Sequence, residues 1–193
     1  MSTTIQDGTG SKRKVAVNSK NKLETVAIIS SEEIDVTRSG ETYTVSSGTV
    51  SFTGSAETAM LYLKNNDDRD MTIDRAVVFI GSASGSLPHE DWTLKIIRNP
   101  PATGTIITNA VASGVSNGNH GSNNLPDATY YKGVQGDTLG GNAAGFPIQQ
   151  QSNRYIFPIQ KILPKGTSIG LKLTPPASNA DTKAVAVMHF YYI

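Results

Sequence analysis

The chain of 193 residues contains no cysteine, which excludes disulfide bonds, zinc–thiolate sites and thiol nucleophiles. Charged residues make up only 17% of the sequence and the formal net charge is +1, so bulk electrostatics do not favour nucleic-acid binding. No apolar run approaches the roughly 18 residues of a membrane span, and the first residues lack the apolar core of a signal peptide. These absences predict a soluble, cytoplasmically synthesised protein with neither a membrane nor a direct nucleic-acid partner.

Recognisable catalytic and metal-binding motifs are also absent. The three histidines form no H-x-H or H-x-x-x-H pair, and there is no G-x-S-x-G nucleophile elbow. A Ser-His-Asp site assembled from distant positions stays open, because such triads have no fixed spacing. The sequence therefore predicts a non-enzymatic protein with no catalytic residue, no metal site and no cofactor.

Three short segments contain residues that could bind a ligand. In His89–Asp91, adjacent side chains would point in opposite directions on a strand, which disfavours joint binding of one ion. Asp67–Asp70 lacks the glycine and the distant glutamate of a calcium loop. Gly81–Gly85 has no lysine and no following helix, so it does not match a phosphate-binding loop. We interpret all three as turns or connections.

Alternating apolar residues predict short strands over most of the chain. Trp92, Leu94 and Ile96 alternate, as do Ile169, Leu171 and Leu173. Residues 73–80 are apolar on both faces in their later half, as expected of a central strand. No convincing amphipathic helix is present, so the helices of a parallel sheet are missing. The predicted fold class is all-β, an antiparallel, jelly-roll-like sandwich spanning residues 24–193.

Two features of this sandwich are specific predictions. Tyr43 and Val45, then Val50 and Phe52, alternate around Ser46–Gly48, which indicates a hairpin with a tight turn. Residues 102–153 are rich in Gly, Asn, Ser and Ala without clear periodicity, which predicts a long loop-rich insertion; such stretches are normally functional loops, subunit-interface loops or disordered.

Residues 1–23 are predicted to form an extended N-terminal arm, and a flexible terminus with chance apolar residues is the competing interpretation. Five basic residues oppose only Asp7 there, so the arm carries +4 and the remainder must carry −3. Val15 and Val17 share one strand face and suit addition to a partner sheet edge. The predicted partner-binding residues of the arm are Ile5, Lys12, Arg13, Lys14, Val15, Val17 and Leu23.

Several segments of the sequence resemble tailed-phage virion proteins. The resemblance is carried by Ile5–Gly10, Ala16–Asn18 with Leu23, Ala59–Asn66, Leu163–Gly170 and Pro175–Pro176. It implies a small β-rich capsid decoration, cement or tail-accessory protein, located in the virion and made in the host cytoplasm. It also implies a homotrimer that attaches to the major capsid protein or another virion protein by an extended arm.

Two other functions are compatible with the sequence. A receptor- or glycan-binding fibre or baseplate module would use an aromatic or carboxylate-lined pocket, and five tyrosines on predicted strands could supply stacking faces. Ordinary cross-strand packing is the competing interpretation of Tyr43, Tyr62, Tyr155, Tyr191 and Tyr192. A β-sandwich glycan hydrolase would need two carboxylates about 5–10 Å apart in a groove.

Overall fold

The structure is a computed structural model that describes residues 32–52, 54–82, 92–101, 109–110, 114–133, 139–148, 154–176 and 182–193. One helix and twelve strands lie in these ranges. They are α1 (Glu32–Ser39), β1 (Thr42–Ser46), β2 (Val50–Phe52), β3 (Thr58–Asn65), β4 (Met71–Ser82), β5 (Trp92–Arg98), β6 (Asn109–Ala110), β7 (Val115–Asn117), β8 (Ala128–Lys132), β9 (Asn142–Ile148), β10 (Arg154–Leu163), β11 (Ser168–Thr174) and β12 (Thr182–Tyr192).

The strands form two six-stranded antiparallel sheets packed as a sandwich. The first sheet has the order β10-β4-β12-β1-β7, with β2 also paired to β12, and the second has the order β6-β8-β3-β11-β5-β9. Between them lies a core of buried aliphatic and aromatic side chains, in which Phe52 of the first sheet meets Trp92 of the second edge-on at 5.4 Å between ring centroids. The predicted all-β antiparallel sandwich is confirmed, and β4 is a central strand as predicted.

The hairpin predicted between residues 43 and 52 is wrong. Both β1 and β2 pair with β12, one after the other along the same edge. Three residues separate Ser46 from Val50, whereas two separate their β12 partners Val187 and Ala184, so the connection is a β-bulge. The buried Ser47 hydroxyl accepts a hydrogen bond from the Ala186 N–H at 2.9 Å, which helps to satisfy β12 at the break.

The segment 102–153 contains more regular structure than its composition predicts. Its described residues contribute β6, β8 and β9 to the second sheet and β7 to the first. These strands are short or rich in small residues, so alternation gave little signal. The segment is therefore loop-rich but also forms part of both sheets.

Helix α1 was not predicted, because its eight residues are too few to show a clear amphipathic period. Its C-terminus is closed by Gly40, which has φ of 78°. Gly40 N–H donates to Thr37 O at 3.0 Å and Glu41 N–H to Val36 O at 2.9 Å, the pattern of a Schellman motif. A side chain at residue 40 would also meet Ser122 Oγ, since an added Cβ would lie 2.4 Å away.

Candidate assembly surface

The outer face of the first sheet carries a strip of apolar side chains across three neighbouring strands. The register places Phe79 beside Val185, and it places Ile156, Val77 and Val187 in the next row. Phe79 is 40% exposed and Ile156 is 54% exposed, although both are large apolar residues. We call these five residues the apolar outer face. Val185 and Val187 are partly buried and Val77 is 3% exposed, so the exposed apolar area is centred on Phe79 and Ile156. Exposed large apolar side chains grouped in this way are typical of a contact with another molecule.

Charged and polar groups border the apolar outer face on two sides. The Arg154 guanidinium lies over the Phe79 ring, 5.8 Å from its centroid. On the other side, Arg75 pairs with Asp74 at 2.7 Å and with Glu33 of α1 at 3.6 Å. An apolar centre with a polar rim is the usual composition of a protein–protein interface.

His189 belongs to the same border and is half-buried. Its Nδ1 lies 3.0 Å from Thr44 Oγ1 on the adjacent strand. Burial lowers the pKa of His189, and the nearby Arg75 cation lowers it further. The imidazole is therefore held in its neutral form more strongly than a solvated histidine.

Strand β10 bends beside this face. Its pairing with β4 shifts register between Pro158 and Lys161, and Gln160 has φ of 46°. Proline within a strand is tolerated at edges and bulges because it has no N–H to donate. After the bend, Ile162 is 57% exposed.

A groove of about 580 Å³ opens between the end of β10 and the edge of the second sheet. Its apolar lining includes Ile96, Ile162 and Ile169, and its charged lining consists of Arg98 and Lys161. Both cations are exposed, and neither forms an ion pair with any carboxylate in the described ranges. The groove can therefore receive an apolar side chain accompanied by a negative charge.

Part of the outer face of the second sheet is covered by Leu139 of the same chain. Leu139 is 1% exposed and packs with a small cluster formed by Ala59, Tyr62, Ile97 and Tyr131. Its carbonyl accepts a hydrogen bond from Lys172 Nζ at 2.9 Å. Unlike the first sheet, this sheet has an outer face that is closed over the Leu139 cluster.

A charged cluster lies next to the Leu139 cluster. Glu57 accepts from Lys95 Nζ at 2.5 Å and also pairs with Lys172, whose side chain is 11% exposed. Burial alone would raise the pKa of Glu57, but hydrogen bonds from Lys172 and Lys95 outweigh it and lower the pKa. The cluster is a satisfied ion-pair network, in which the Glu57 carboxylate is shared by Lys95 and Lys172.

The structure does not test the predicted partner-binding residues. Ile5, Lys12, Arg13, Lys14, Val15, Val17 and Leu23 lie outside the described residues, as do the arm and His89–Asp91. Asp67–Asp70 lie in the turn between β3 and β4, where Arg69 donates to Asp67 at 3.0 Å through both Nε and Nη2. Within the described ranges, no group of three or more His, Asp or Glu side chains could hold a metal ion, and no helix is long and apolar enough to cross a membrane.

The tyrosines predicted to lie on strands do lie there, but they do not form one stacking surface. Tyr43, Tyr62 and Tyr192 are 1–2% exposed within the packed interior. Burial, aided by the Glu41 carboxylate, raises the pKa of Tyr43 to about 12. The apolar outer face is not predictable from the sequence, because a run that is apolar on both faces has the same pattern whether its outer face is covered or exposed.

No family model matches the chain, and no curated protein matches it. Among solved structures, it is similar to a chain of the heated full particle of Israeli acute paralysis virus, with TM-score 0.29 and 9% identity over 98% of this chain and 96% of that one. It is also similar to the VP2 subviral particle of infectious bursal disease virus, with TM-score 0.22 and 11% identity over 79% of this chain and 41% of that one. Similarities this weak do not bear on function.

Proposed function

We propose that the chain is a non-enzymatic structural protein of a tailed-phage particle, which binds the particle surface and reinforces or decorates it. The observation that carries this proposal is the apolar outer face, where Phe79 and Ile156 are exposed beside Val185 and Val187. A monomeric protein gains nothing from leaving such a strip in water, whereas burial against a partner gives roughly 25 cal/mol per Å². The phage placement is supported by the sequence resemblance.

The partner in this proposal is the major capsid protein or another virion protein. The apolar outer face supplies a flat sheet surface with a charged border, which suits contact with a folded partner. The N-terminal arm, residues 1–23, supplies a second attachment through its basic charge and the Val15 and Val17 strand face. The two contacts together would hold the protein more firmly than either alone.

Two measurements test the proposal. Mass spectrometry of purified particles encoded by the same genome should detect the chain, and its absence from them would refute a virion role. Added back to particles that lack it, the purified chain should co-sediment with them. A Phe79→Ser/Ile156→Ser variant should lose this binding while it stays folded with only a modest fall in melting temperature, because both side chains are partly exposed.

The control for that variant is Lys183→Ser, since Lys183 is an exposed β12 residue outside the apolar outer face. It should co-sediment like the wild type. If the wild type and both variants bind equally, the apolar outer face is not part of the attachment site. Deletion of residues 1–23 then measures the contribution of the arm separately.

A further inference from the structure

Leu125 is the most exposed large apolar residue in the described ranges. It lies in the segment 118–127 between β7 and β8, and 78% of it is exposed. The next residue, Pro126, is buried, so the chain holds its neighbour inside while it presents Leu125 to solvent.

The segment that carries Leu125 is anchored at both ends. Asn117 Nδ2 donates to Gly40 O at 2.8 Å and to Asn124 O at 3.0 Å. At the other end, Asp127 O accepts from Tyr192 Oη at 3.0 Å and from Asn66 N–H at 3.0 Å. A preorganised side chain loses little conformational entropy on binding, so Leu125 is suited to act as a contact residue.

The groove beside β10 offers the complementary surface. Ile96, Ile162 and Ile169 give it apolar walls that match a leucine side chain. Its cations Arg98 and Lys161 match the exposed carboxylate of Asp127, which follows Leu125 by two residues and has no ion pair among the described groups. The Leu125 segment therefore complements this groove in both its apolar side chain and its negative charge.

The two surfaces lie at opposite edges of the sandwich. Strand β10 ends one side of the first sheet, and β5 and β9 end the corresponding side of the second, so the groove lies at that edge. Strand β7 ends the other side of the first sheet, and β8 lies next to the other end of the second, so Leu125 lies at the opposite edge. One molecule therefore cannot fill its own groove with its own Leu125.

We propose that Leu125 of one copy inserts into the groove of a second copy of this chain. Because the two surfaces differ, the contact is head-to-tail, and its repetition closes into a ring when the rotation between copies allows it. A ring of three copies formed in this way would be the homotrimer that the sequence resemblance implies. The contact does not use the apolar outer face and needs no particle, so it is testable apart from the proposed function.

Sedimentation velocity of the full chain across the micromolar range is the test, with folding of each variant checked by its melting temperature. The wild type should self-associate in a concentration-dependent way. Leu125→Asp and Ile162→Asp should each weaken association at least about tenfold, since each places a charge in an apolar contact. Asn123→Ser and Gln160→Ser change exposed residues beside Leu125 and beside the groove without adding charge, and should associate like the wild type.

Mixing the two defective variants gives a sharper result. Leu125→Asp keeps an intact groove and Ile162→Asp keeps an intact Leu125, so the mixture should form a heterodimer that cannot grow further. A wild type that stays monomeric, a mixture without heterodimer, or control variants as defective as the test variants would each overturn the proposal. If the groove is shielded from solvent only when the chain is bound to intact particles, its occupant is another virion protein. That result would equally refute self-insertion.

Discussion

The outer face of the second sheet is closed by Leu139, whereas the outer face of the first sheet exposes Phe79 and Ile156. Both faces belong to six-stranded sheets with apolar outward residues. On the second sheet, Leu139 is 1% exposed above Gly170, and Lys172 holds its carbonyl. On the first sheet, Ile156 is 54% exposed.

This difference separates apolar surface used for folding from apolar surface left for binding. Residues buried by the chain itself contribute to the free energy of unfolding, so their loss should be seen in stability. Residues exposed in the single chain contribute little to it, so their loss should be seen only in association. Substitutions on the two faces should therefore affect different measurements, and the predictions below follow that contrast.

The largest expected effect is that of Leu139→Ala. Truncation of a buried leucine costs about 2–5 kcal/mol, and we expect the lower half of that range because the Leu139 cluster is small. Ile156→Ala on the open face should change the free energy of unfolding by less than about 0.5 kcal/mol. Urea denaturation of the two variants measures the contrast, and equal losses would contradict it.

Gly170→Ala should have a smaller effect that depends on Leu139. An added Cβ would lie 1.9 Å from Leu139 Cδ2, so the leucine must move, at a cost of about 1–3 kcal/mol. With Leu139→Ala already present, the obstructing carbon is gone and the same substitution should cost almost nothing. A double-mutant cycle in urea should give a coupling of about 1 kcal/mol or more, whereas additive losses would show that Leu139 does not cover this strand.

The sequence predicted the strands whose alternation is clear, such as the one containing Trp92, Leu94 and Ile96. It failed where local signals have two structural meanings. Ser46–Gly48 suits a bulge as well as a hairpin turn, and only pairing with β12 decides between them. The candidate surface was not predictable for a similar reason, since Phe79 has the same apolar signal whether the face above it is covered by the chain or left open.

Glu57→Gln should lower the free energy of unfolding by about 1–2 kcal/mol at neutral pH, because the charge-assisted hydrogen bonds from Lys95 and Lys172 are lost. The lowered pKa of Glu57 sets the pH dependence. Its contribution is present above the unfolded pKa of about 4.3 and is lost as pH falls through the folded pKa. Urea midpoints at pH 7 and pH 3 should therefore differ less in the variant than in the wild type.

The control is Glu33→Gln on the open face, because its pair with Arg75 joins side chains that are 44% and 38% exposed. Pairs this exposed contribute little, so the neutral-pH midpoint should barely move. If Glu33→Gln is as destabilising as Glu57→Gln, the ion pairs on the two faces contribute equally to the free energy of unfolding, and the contrast is contradicted.

The smallest expected effect is that of His189→Gln, at the border of the apolar outer face. Near pH 8 the free energy of unfolding should change by no more than about 0.5 kcal/mol, because His189 is neutral and half-buried there. Burial and the Arg75 and Arg154 cations lower its folded pKa, against the opposing carboxylates of Asp74 and Glu33. The unfolded histidine accepts its proton near pH 6.5, before the folded one does.

Protonation of the unfolded chain therefore draws the wild type towards unfolding as pH falls below about 6.5, and the loss is complete once pH has passed the folded pKa of His189. The variant lacks this component, so its urea midpoint should fall less steeply in that window. Thr44→Val serves as the control, since it removes the 3.0 Å contact to Nδ1 but keeps the imidazole. If the urea midpoint depends on pH equally in the wild type and in His189→Gln, the pKa of His189 is not lowered by folding. His189 would then contribute nothing to the pH dependence of stability.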